Sequence, residues 1–494
     1  MRYTHVFWDF NGTVIDDVGN ALACVNDMLA RHGRAPITLA DYYTYIETPI
    51  IGFYRHVLPP EELDFDVIAR EFHDDYLRHL DETRLADGAY DLLHRLHREG
   101  VRQHIITATH VEEAEELTAR YGVRDCFESI LGAQDNRADS KIDRALAYFE
   151  SLGIDRSEAL YVGDCLHDLQ TADALGIDCV LVAYGHQGKR LLSEHNAFVV
   201  DSLKDVERIL RDERRVDFHT HSTCSDGTLT PTELVDEAQK QGLAAFALTD
   251  HDAVDGIAEA RAEAERIGME FIPGIEFSAA DKIETHVIGL FIDPQNEVLQ
   301  ATIAKLKASR RRRMEDVCNK LTALGLPVSY DEAQALAGGG FVGRAHIAKV
   351  MIQKGFCPDV KSCFNQYIGV GRPAYSEKHE LTANEAVRAI KAAGGLAFLA
   401  HLNQTGLDLP ELEALLTDLK RDGLDGIEGY YTEYTPQQTA DYRLLAEKLS
   451  LALGGGSDYH AAMKPQVGLG TGYGDLTIPY FLLEHFKEML KTHN

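Results

Sequence analysis

Histidines and carboxylates gather at a few short places in the second half of this chain, each next to a run of apolar residues. From residue 216 the chain reads Val216-Asp-Phe-His219-Thr-His221-Ser-Thr-Cys-Ser-Asp226-Gly. Thr249-Asp250-His251-Asp252 follows, then Pro273-Gly-Ile-Glu276, then His286, and much later His401 and Asp458-Tyr-His460. The flanking runs are Leu243 to Leu248, Phe271-Ile272, Val287 to Leu290, Gly395 to Ala400 and Leu451 to Ser457. Between them Thr230-Pro-Thr-Glu233 is a capping box with proline at the first helical position, opening a helix to about Gln241 that Gly242 ends. A second helix is expected over Ile257 to Ile267. This βαβα rhythm carries strand ends to one face of an α/β barrel, where ligands far apart in sequence can meet. Residues i and i+2 of an extended segment share a side, so His219 with His221, and Asp458 with His460, can each offer two ligands together. Imidazoles mixed with carboxylates, without thiolates, suit Zn, Mn or Fe in hydrolysis rather than a structural zinc. By the same test His346, His104, His110 and His167 have no such context.

The first half reads differently. Thr4 to Asp9 is an apolar run ending in a carboxylate, and Asn11-Gly12-Thr13 turns the chain. Residues 18 to 85 read as helices. Val101 to Ile106 ends in Thr107, and Ala159 to Val162 ends in Gly163-Asp164-Cys-Leu-His-Asp168, with Lys141 between them. Strands alternating with helices, with polar residues at the strand ends, describe a doubly wound α/β domain. Asp9 can attack phosphorus if Mg²⁺ and a lysine neutralise the phosphoryl oxygens. Asp9 and Asp164 can hold that Mg²⁺, and Thr107 and Lys141 can bind the phosphate.

These four motifs resemble those of the haloacid dehalogenase (HAD) superfamily. The resemblance implies a HAD-like Rossmannoid domain over 1–205 with a helical cap over about 17–85. Asn11 departs from the family, whose phosphatases usually carry an aspartate there as general acid and base. Loss of a general acid costs roughly 10²–10⁴-fold. Two expectations remain open: a phosphatase restricted to good leaving groups or using another proton source, and a phosphate-binding module without turnover.

The second half, from 216 to about 475, resembles the polymerase-and-histidinol-phosphatase (PHP) superfamily in HTHSTCSDGT, TDHD, PGIE, AH and GSDYH. The resemblance implies a distorted (β/α)₇ barrel over 216–494 with two to three divalent metals (Mn, Zn or Fe). Carried over by motif, His219, His221, Glu276 and Asp458 would hold one metal, and Glu276, His286 and His401 a second. Asp226, His251 and His460 would hold a third, with His219, His221 and Asp458 at the reacting centre. Asp250 or Asp252 would orient a ligand histidine. Between His286 and His401 lies an insert, about 300–378. It opens with a helix over Ala301 to Leu324, whose Arg310-Arg-Arg-Arg313 reads as a solvated face. Gly343-Arg344-Ala-His346-Ile-Ala348 resembles a segment of the subgroup of 3′,5′-nucleotide bisphosphate phosphatases and 5′-to-3′ oligoribonucleases. There Arg344 and His346, at a helix start, would grip a second phosphate. Arg372, Tyr375 and Lys464 match positions where that subgroup carries basic or polar residues.

A formal net charge of −30 over 494 residues repels long polyanions and leaves small phosphorylated molecules or short oligonucleotides as substrates. The 8 cysteines have no framework spacing, as in a reducing cytosol. The amino terminus reads as a strand and no run spans a bilayer, so a cytoplasmic protein is expected. Asp201 to Arg215 reads as an amphipathic helix, with 206–215 joining the two domains. The expected function is a metal-dependent phosphoesterase acting on a nucleoside 3′,5′-bisphosphate. The alternatives are a cyclic sugar-phosphate phosphodiesterase, a sugar-phosphate phosphatase, or a phospho-ligand sensor.

Overall fold

The structure is a computed structural model that describes residues 1–47, 50–133, 141–280, 283–336, 342–376 and 381–493. The chain divides into two compact units. One comprises Met1–Glu213 with Thr435–Ala452, and the other Arg214–Tyr434 with Leu453–Asn494.

The first unit is built on a six-stranded sheet whose strands run, from edge to edge, Ser129–Ala133, Arg102–His110, His5–Trp8, Ala159–Gly163, Asp178–Val182 and Val199–Val200. Every pairing is parallel. Val6, Phe7 and Trp8 are all buried because a central parallel strand is covered on both faces. The strand order reverses at His5–Trp8, so the crevice beyond its carboxyl end receives Asp9, Thr107 and Asp164 together. A two-stranded ribbon, Ile15–Asp16 against Arg84–Leu85, leads into and out of the helical cap. The cap helices Val18–Arg31, Leu39–Tyr45, Ile51–Val57 and Phe65–His79 enclose their own core of Val25, Met28, Tyr42, Phe53, Tyr54 and Ile68. His104, read as incidental, lies in the sheet core, stacked on His5 and bonded to the Tyr148 hydroxyl.

In the second unit seven strands pair in chain order, Arg215–Asp217, Leu243–Leu248, Glu270–Ala280, Glu284–Leu290, Leu396–Leu399, Gly426–Tyr431 and Ala452–Gly456, and Ile478–Pro479 adds an eighth at the edge. The sheet curls nearly into a barrel. Its first and last members meet where the Phe218 amide donates to the Gly455 carbonyl at 3.2 Å and the Asp458 amide to the His219 carbonyl at 3.0 Å. Two antiparallel joins, on either side of Glu284–Leu290, distort it. The insert begins with the helix Glu297–Ala323 and packs its helices around Met314, Val317, Leu321, Ile347 and Met351.

Two local expectations are corrected. The amphipathic helix covers only Leu203–Leu210, and by Arg215 the chain is already in a strand, because Val216 and Asp217 must pair with Leu243–Leu248. Glu276 and His286 lie within long antiparallel strands rather than at strand ends, since a hairpin carries both past the barrel rim. Among the described residues no helix is long and apolar enough to cross a membrane.

The seam tolerates no bulk. A Cβ added at Gly456 would stand 2.1 Å from the His219 Cβ and 2.5 Å from its amide nitrogen. Gly456→Ala is therefore expected to destabilise the fold by roughly 1–3 kcal/mol, the usual cost of overpacking. The urea-unfolding midpoint checks this, and an unchanged midpoint would show that the seam is slack.

Candidate functional site

In the second unit the backbone gathers the predicted residues at one end of the sheet. His219, His221 and Glu276 are fully buried, and His401, Asp458 and His460 nearly so. The Glu276 carboxylate is the hub. Its Oε2 lies 3.1 Å from His219 Nε2, 3.2 Å from His221 Nε2 and 3.0 Å from His251 Nδ1. Its Oε1 lies 2.8 Å from His286 Nδ1 and 3.0 Å from His401 Nε2. Asp458 Oδ1 stands 3.6 Å and 3.4 Å from the same Nε2 atoms of His219 and His221. Asp226 Oδ1 is 3.2 Å from His460 Nε2, and Asp226 Oδ2 is 3.8 Å from His251 Nε2.

Three overlapping donor sets follow: His221, Asp226, His251 and His460; His219, His221 and Asp458; and His251, Glu276 and His286. Within each the ligand atoms lie within 4.8 Å of one another. Compared with the grouping carried over by motif, His251 also joins Glu276 and His286, and His221 also joins Asp226.

The donor set fits a metal on one decisive detail. His219 Nε2, His221 Nε2 and Glu276 Oε2 are buried, close to one another, and make no hydrogen bond. Buried polar atoms are seldom left unpaired. Three that converge at hydrogen-bond distance without hydrogen-bond geometry present lone pairs to a common cation. Burial pushes the Glu276 carboxyl up, but the neighbouring histidines, His219 and His286 among them, outweigh it and hold it well below the usual carboxylate range. Burial drives His251 down to about 3, which keeps its ring neutral.

Residues that the sequence reading missed hold these ligands in place. Glu428, buried in Gly426–Tyr431, accepts from His219 Nδ1 at 2.9 Å and from the His401 amide at 2.7 Å. The first contact fixes the His219 tautomer with Nε2 facing Glu276. Tyr431 donates to Asp458 Oδ2 at 3.0 Å, and Lys464 pairs with the same oxygen, leaving Oδ1 toward the imidazoles. Asp217 receives the amides of Ser457, Gly470 and His219. Asp250 reaches the ligand His221 through Ser225, whose hydroxyl lies 3.5 Å from His221 Nδ1. Asp250 accepts from the Ser222 amide and from the Ser222 and Ser225 hydroxyls, and Asp252 accepts from the Ser278 amide and pairs with Arg310 at 2.6 Å. Both brace the loops, and Glu428 orients His219 directly.

A cavity of about 780 Å³ opens beside Asp226 and His251, and its wall includes Lys307, Arg310, Arg311 and Tyr330. The arginine run is thus not a uniformly solvated face: Arg310 is turned inward onto Asp252, while Arg311 stays exposed and lies over the Tyr330 ring. Arg344, His346 and Arg372 do not line this cavity. Arg344 donates to the Ile368 carbonyl at 3.4 Å and lies between the Phe364 and Tyr375 rings. His346 Nδ1 accepts from the Gly343 amide, and Arg372 is exposed.

In the first unit Lys141 bridges Asp9 and Asp168, all three buried. Asp164 accepts from the Thr13 hydroxyl at 3.2 Å and from the His186 amide, and burial pushes its carboxyl up to about 6. Asp9, Thr107, Lys141 and Asp164 line one cavity of about 560 Å³, together with His110 and His167, which had seemed incidental. Two buried carboxylates facing one cavity offer the hard oxygen ligands that Mg²⁺ takes.

Comparison with known proteins follows this division. Residues 6–182 match a family model described as haloacid dehalogenase-like hydrolase, and residues 217–370 one described as PHP domain. A 5′-3′ exoribonuclease of Haemophilus influenzae is 36% identical over 248 residues, 50% of this chain and 90% of that protein. A 3′,5′-nucleoside bisphosphate phosphatase of Chromobacterium violaceum is 33% identical over 248 residues, 50% of this chain and 87% of the relative. A phosphoglycolate phosphatase of Pseudomonas aeruginosa is 29% identical over 212 residues, 41% of this chain and 77% of its own length.

The orienting role of Glu428 is open to test. Glu428→Gln keeps one acceptor for His219 but turns an NH₂ group on the His401 amide. Metal affinity is expected to fall roughly 10–100-fold, as when other outer partners of metal ligands are removed. Titration calorimetry with Mn²⁺ and Zn²⁺ reads this directly, and unchanged affinity would reduce Glu428 to a packing residue.

Proposed function

The chain belongs to the PHP family through its second half and to the haloacid dehalogenase-like hydrolases through its first, and from that premise we propose that the PHP half removes a phosphate from a nucleoside 3′,5′-bisphosphate. The observation that carries the reading is the convergence of unpaired His219 Nε2, His221 Nε2 and Glu276 Oε2 beside a cavity whose wall carries Lys307, Arg310 and Arg311, each paired with a carboxylate.

Two or three divalent cations, Mn, Zn or Fe, would supply Lewis acidity here, lowering the pKa of water towards about 7 and neutralising phosphoryl charge. His219, His221, Glu276, His286, His401 and Asp458, with Asp226, His251 and His460, would hold them. Tyr431 and Lys464 keep one oxygen of Asp458 occupied, so its orientation is fixed before substrate arrives. Glu428 does the same for His219. Such preorganisation puts the reorientation cost into folding rather than into turnover.

The second phosphate needs a cationic partner away from the ligand cluster. Motif resemblance points to Arg344 and His346. The cavity wall points to Arg310, with Lys307 and Arg311 beside it, since these cations share a cavity with the ligands Asp226 and His251. Short oligonucleotides carrying a terminal phosphate satisfy the same pattern, whereas the charge of −30 disfavours long nucleic acid. All 8 cysteines are free thiols, which supports a reducing, cytoplasmic location.

The test is a substrate panel on protein of known metal content. Adenosine 3′,5′-bisphosphate is expected to exceed short RNA and cyclic ribose phosphates in kcat/KM. Preference for a cyclic phosphate would instead select the phosphodiesterase reading, and fewer than two metals per chain would overturn the mechanism. Arg310→Lys, which keeps the charge but loses the planar fork, should lower kcat/KM by about tenfold more on the bisphosphate than on a monophosphate. If Arg344→Ala shows that selectivity and Arg310→Lys does not, the grip lies in the Arg344–His346 segment.

A further inference from the structure

Thr435–Ala452 is part of the first unit, although the chain on either side of it, up to Tyr434 and from Leu453, is part of the second. We propose that this segment couples the two sites: an anion held at Lys141 in the first unit raises the metal affinity of the PHP half. Such regulation presupposes the metal centre around Glu276.

The segment is tied to the ligands at both ends. Gly426–Tyr431, just before it, carries Glu428, which orients His219, and Tyr431, which donates to Asp458 Oδ2. Ala452–Gly456, where it ends, leads straight to Asp458 and His460. A shift of the segment therefore pulls on Tyr431 and Asp458 through the backbone alone.

Inside the first unit the segment is grasped along its length. Its helix Pro436–Lys448 packs on the helix Leu166–Leu175. Arg443, buried, donates to the Ile177 carbonyl at 2.9 Å, and Gln170 donates to Glu447 Oε1 at 3.1 Å. Asn196 Nδ2 donates to the Ser450 carbonyl at 2.7 Å, and the Ser450 hydroxyl lies 3.2 Å from His195 Nδ1. The helix Leu166–Leu175 begins at the anion site. Asp168, in its first turn, accepts from the Asp164 and Cys165 amides at 3.0 and 3.1 Å and pairs with Lys141 at 2.6 Å. Its 10 residues make a rod of about 15 Å from the partner of Lys141 to the clasped segment.

Built-in costs oppose the clasp and make it a two-state element. Asn196 and Ser450 hold positive φ values of 54° and 48°, which a released segment would relax. Burial pushes the Asp173 carboxyl, on the same helix, up to about 7 against the pull of Arg443, and pushes the Glu447 carboxyl up as well. Attraction set against such costs brings clasped and released forms close in free energy, so a modest bias shifts their populations.

The anion supplies the bias. Asp9, Thr107 and Lys141 come from three different elements and line one cavity. A phosphate that touches Lys141 and Thr107 ties those elements together and steadies the helix start that carries Asp168. A steadier helix holds the segment more firmly, so Tyr431 and Asp458 lose less freedom when a metal binds. Linkage makes the effect reciprocal: metal loading tightens anion binding by the same factor.

The test is titration calorimetry of the full chain with Mn²⁺ over a range of inorganic phosphate concentrations. Phosphate also meets the metals directly, and the same titration of Lys141→Met measures that part. Beyond it, phosphate is expected to raise Mn²⁺ affinity at least about fivefold, and Mn²⁺ to raise phosphate affinity by the same factor. Asn196→Ala, which opens the clasp on Ser450, and Arg443→Met should each remove the Lys141-dependent gain. If Lys141→Met fails to fold, Thr107→Val takes its place. Equal gains in the unaltered chain and in Lys141→Met would overturn the coupling, as would a gain that survives both Asn196→Ala and Arg443→Met. A chain that binds no Mn²⁺ sinks the metal centre and the coupling together. One that binds Mn²⁺ without a Lys141-dependent gain sinks the coupling alone.

Discussion

A carboxylate buried among imidazoles, with lone pairs facing one another, is the constraint around which the second unit is built. The partners of Glu276 are His219, His221, His251, His286 and His401. Taking such groups out of water is costly unless each finds a partner, and here several ring nitrogens point at the same oxygen. A cation at the centre resolves that conflict, and the surrounding fold is committed to it. His401, Asp458 and Asp252 hold positive φ values of 25°, 58° and 49°, conformations that cost non-glycine residues of order 1–3 kcal/mol each. Asp217 fastens Ser457, Gly470 and His219, so the barrel seam and the ligand loops are one construction.

The first unit solves a similar electrostatic problem with its own side chain. Lys141 stands between Asp9 and Asp168 and supplies a fixed ammonium. Burial alone would raise the Asp168 carboxyl, but Lys141 outweighs it and holds the group below its ordinary value. The difference suits the chemistry. A carboxylate that attacks phosphorus must be ionised, yet burial and the neighbouring Asp168 push the Asp9 carboxyl up against the pull of Lys141, so a further cation beside Asp164 would complete the charge balance. A site that activates water needs a stronger Lewis acid than an ammonium, and imidazoles serve as ligands where lysines would repel the metal.

Much of this was legible in the residues because both patterns are local. An apolar run followed by His, Asp or Glu marks a strand end, and the Leu243–Leu248 strand and the Ile257–Ile267 helix lie where their periodicity puts them. His219, His221, Glu276, His401 and Asp458 signalled themselves by residue type. Glu428 did not. Gly426-Ile-Glu-Gly-Tyr-Tyr431 looks like an ordinary strand, and a single acid within it carries no spacing signal. Its meaning depends on the register that brings it beneath His219 and the amide of His401. The arginine run misled for a related reason. Helical periodicity on Glu297–Ala323 is weak where four arginines are consecutive, so which one turns inward is set by Asp252, far off in sequence. Asp250 and Asp252 flank His251 in sequence, while in space they accept from serine hydroxyls and amides.

Electrostatics also decides what can enter. The chain as a whole is strongly acidic, yet beside the ligand cluster Lys307, Arg310 and Arg311 share a cavity with His251. At physiological ionic strength fields are screened beyond roughly 8 Å, so a small phosphorylated molecule inside the cavity is governed by these near cations. A long polyanion must also meet the rest of a chain with a formal net charge of −30, which repels it. On the proposed reading, selection for size is built into the charge distribution, which favours a small phosphorylated molecule over a long strand.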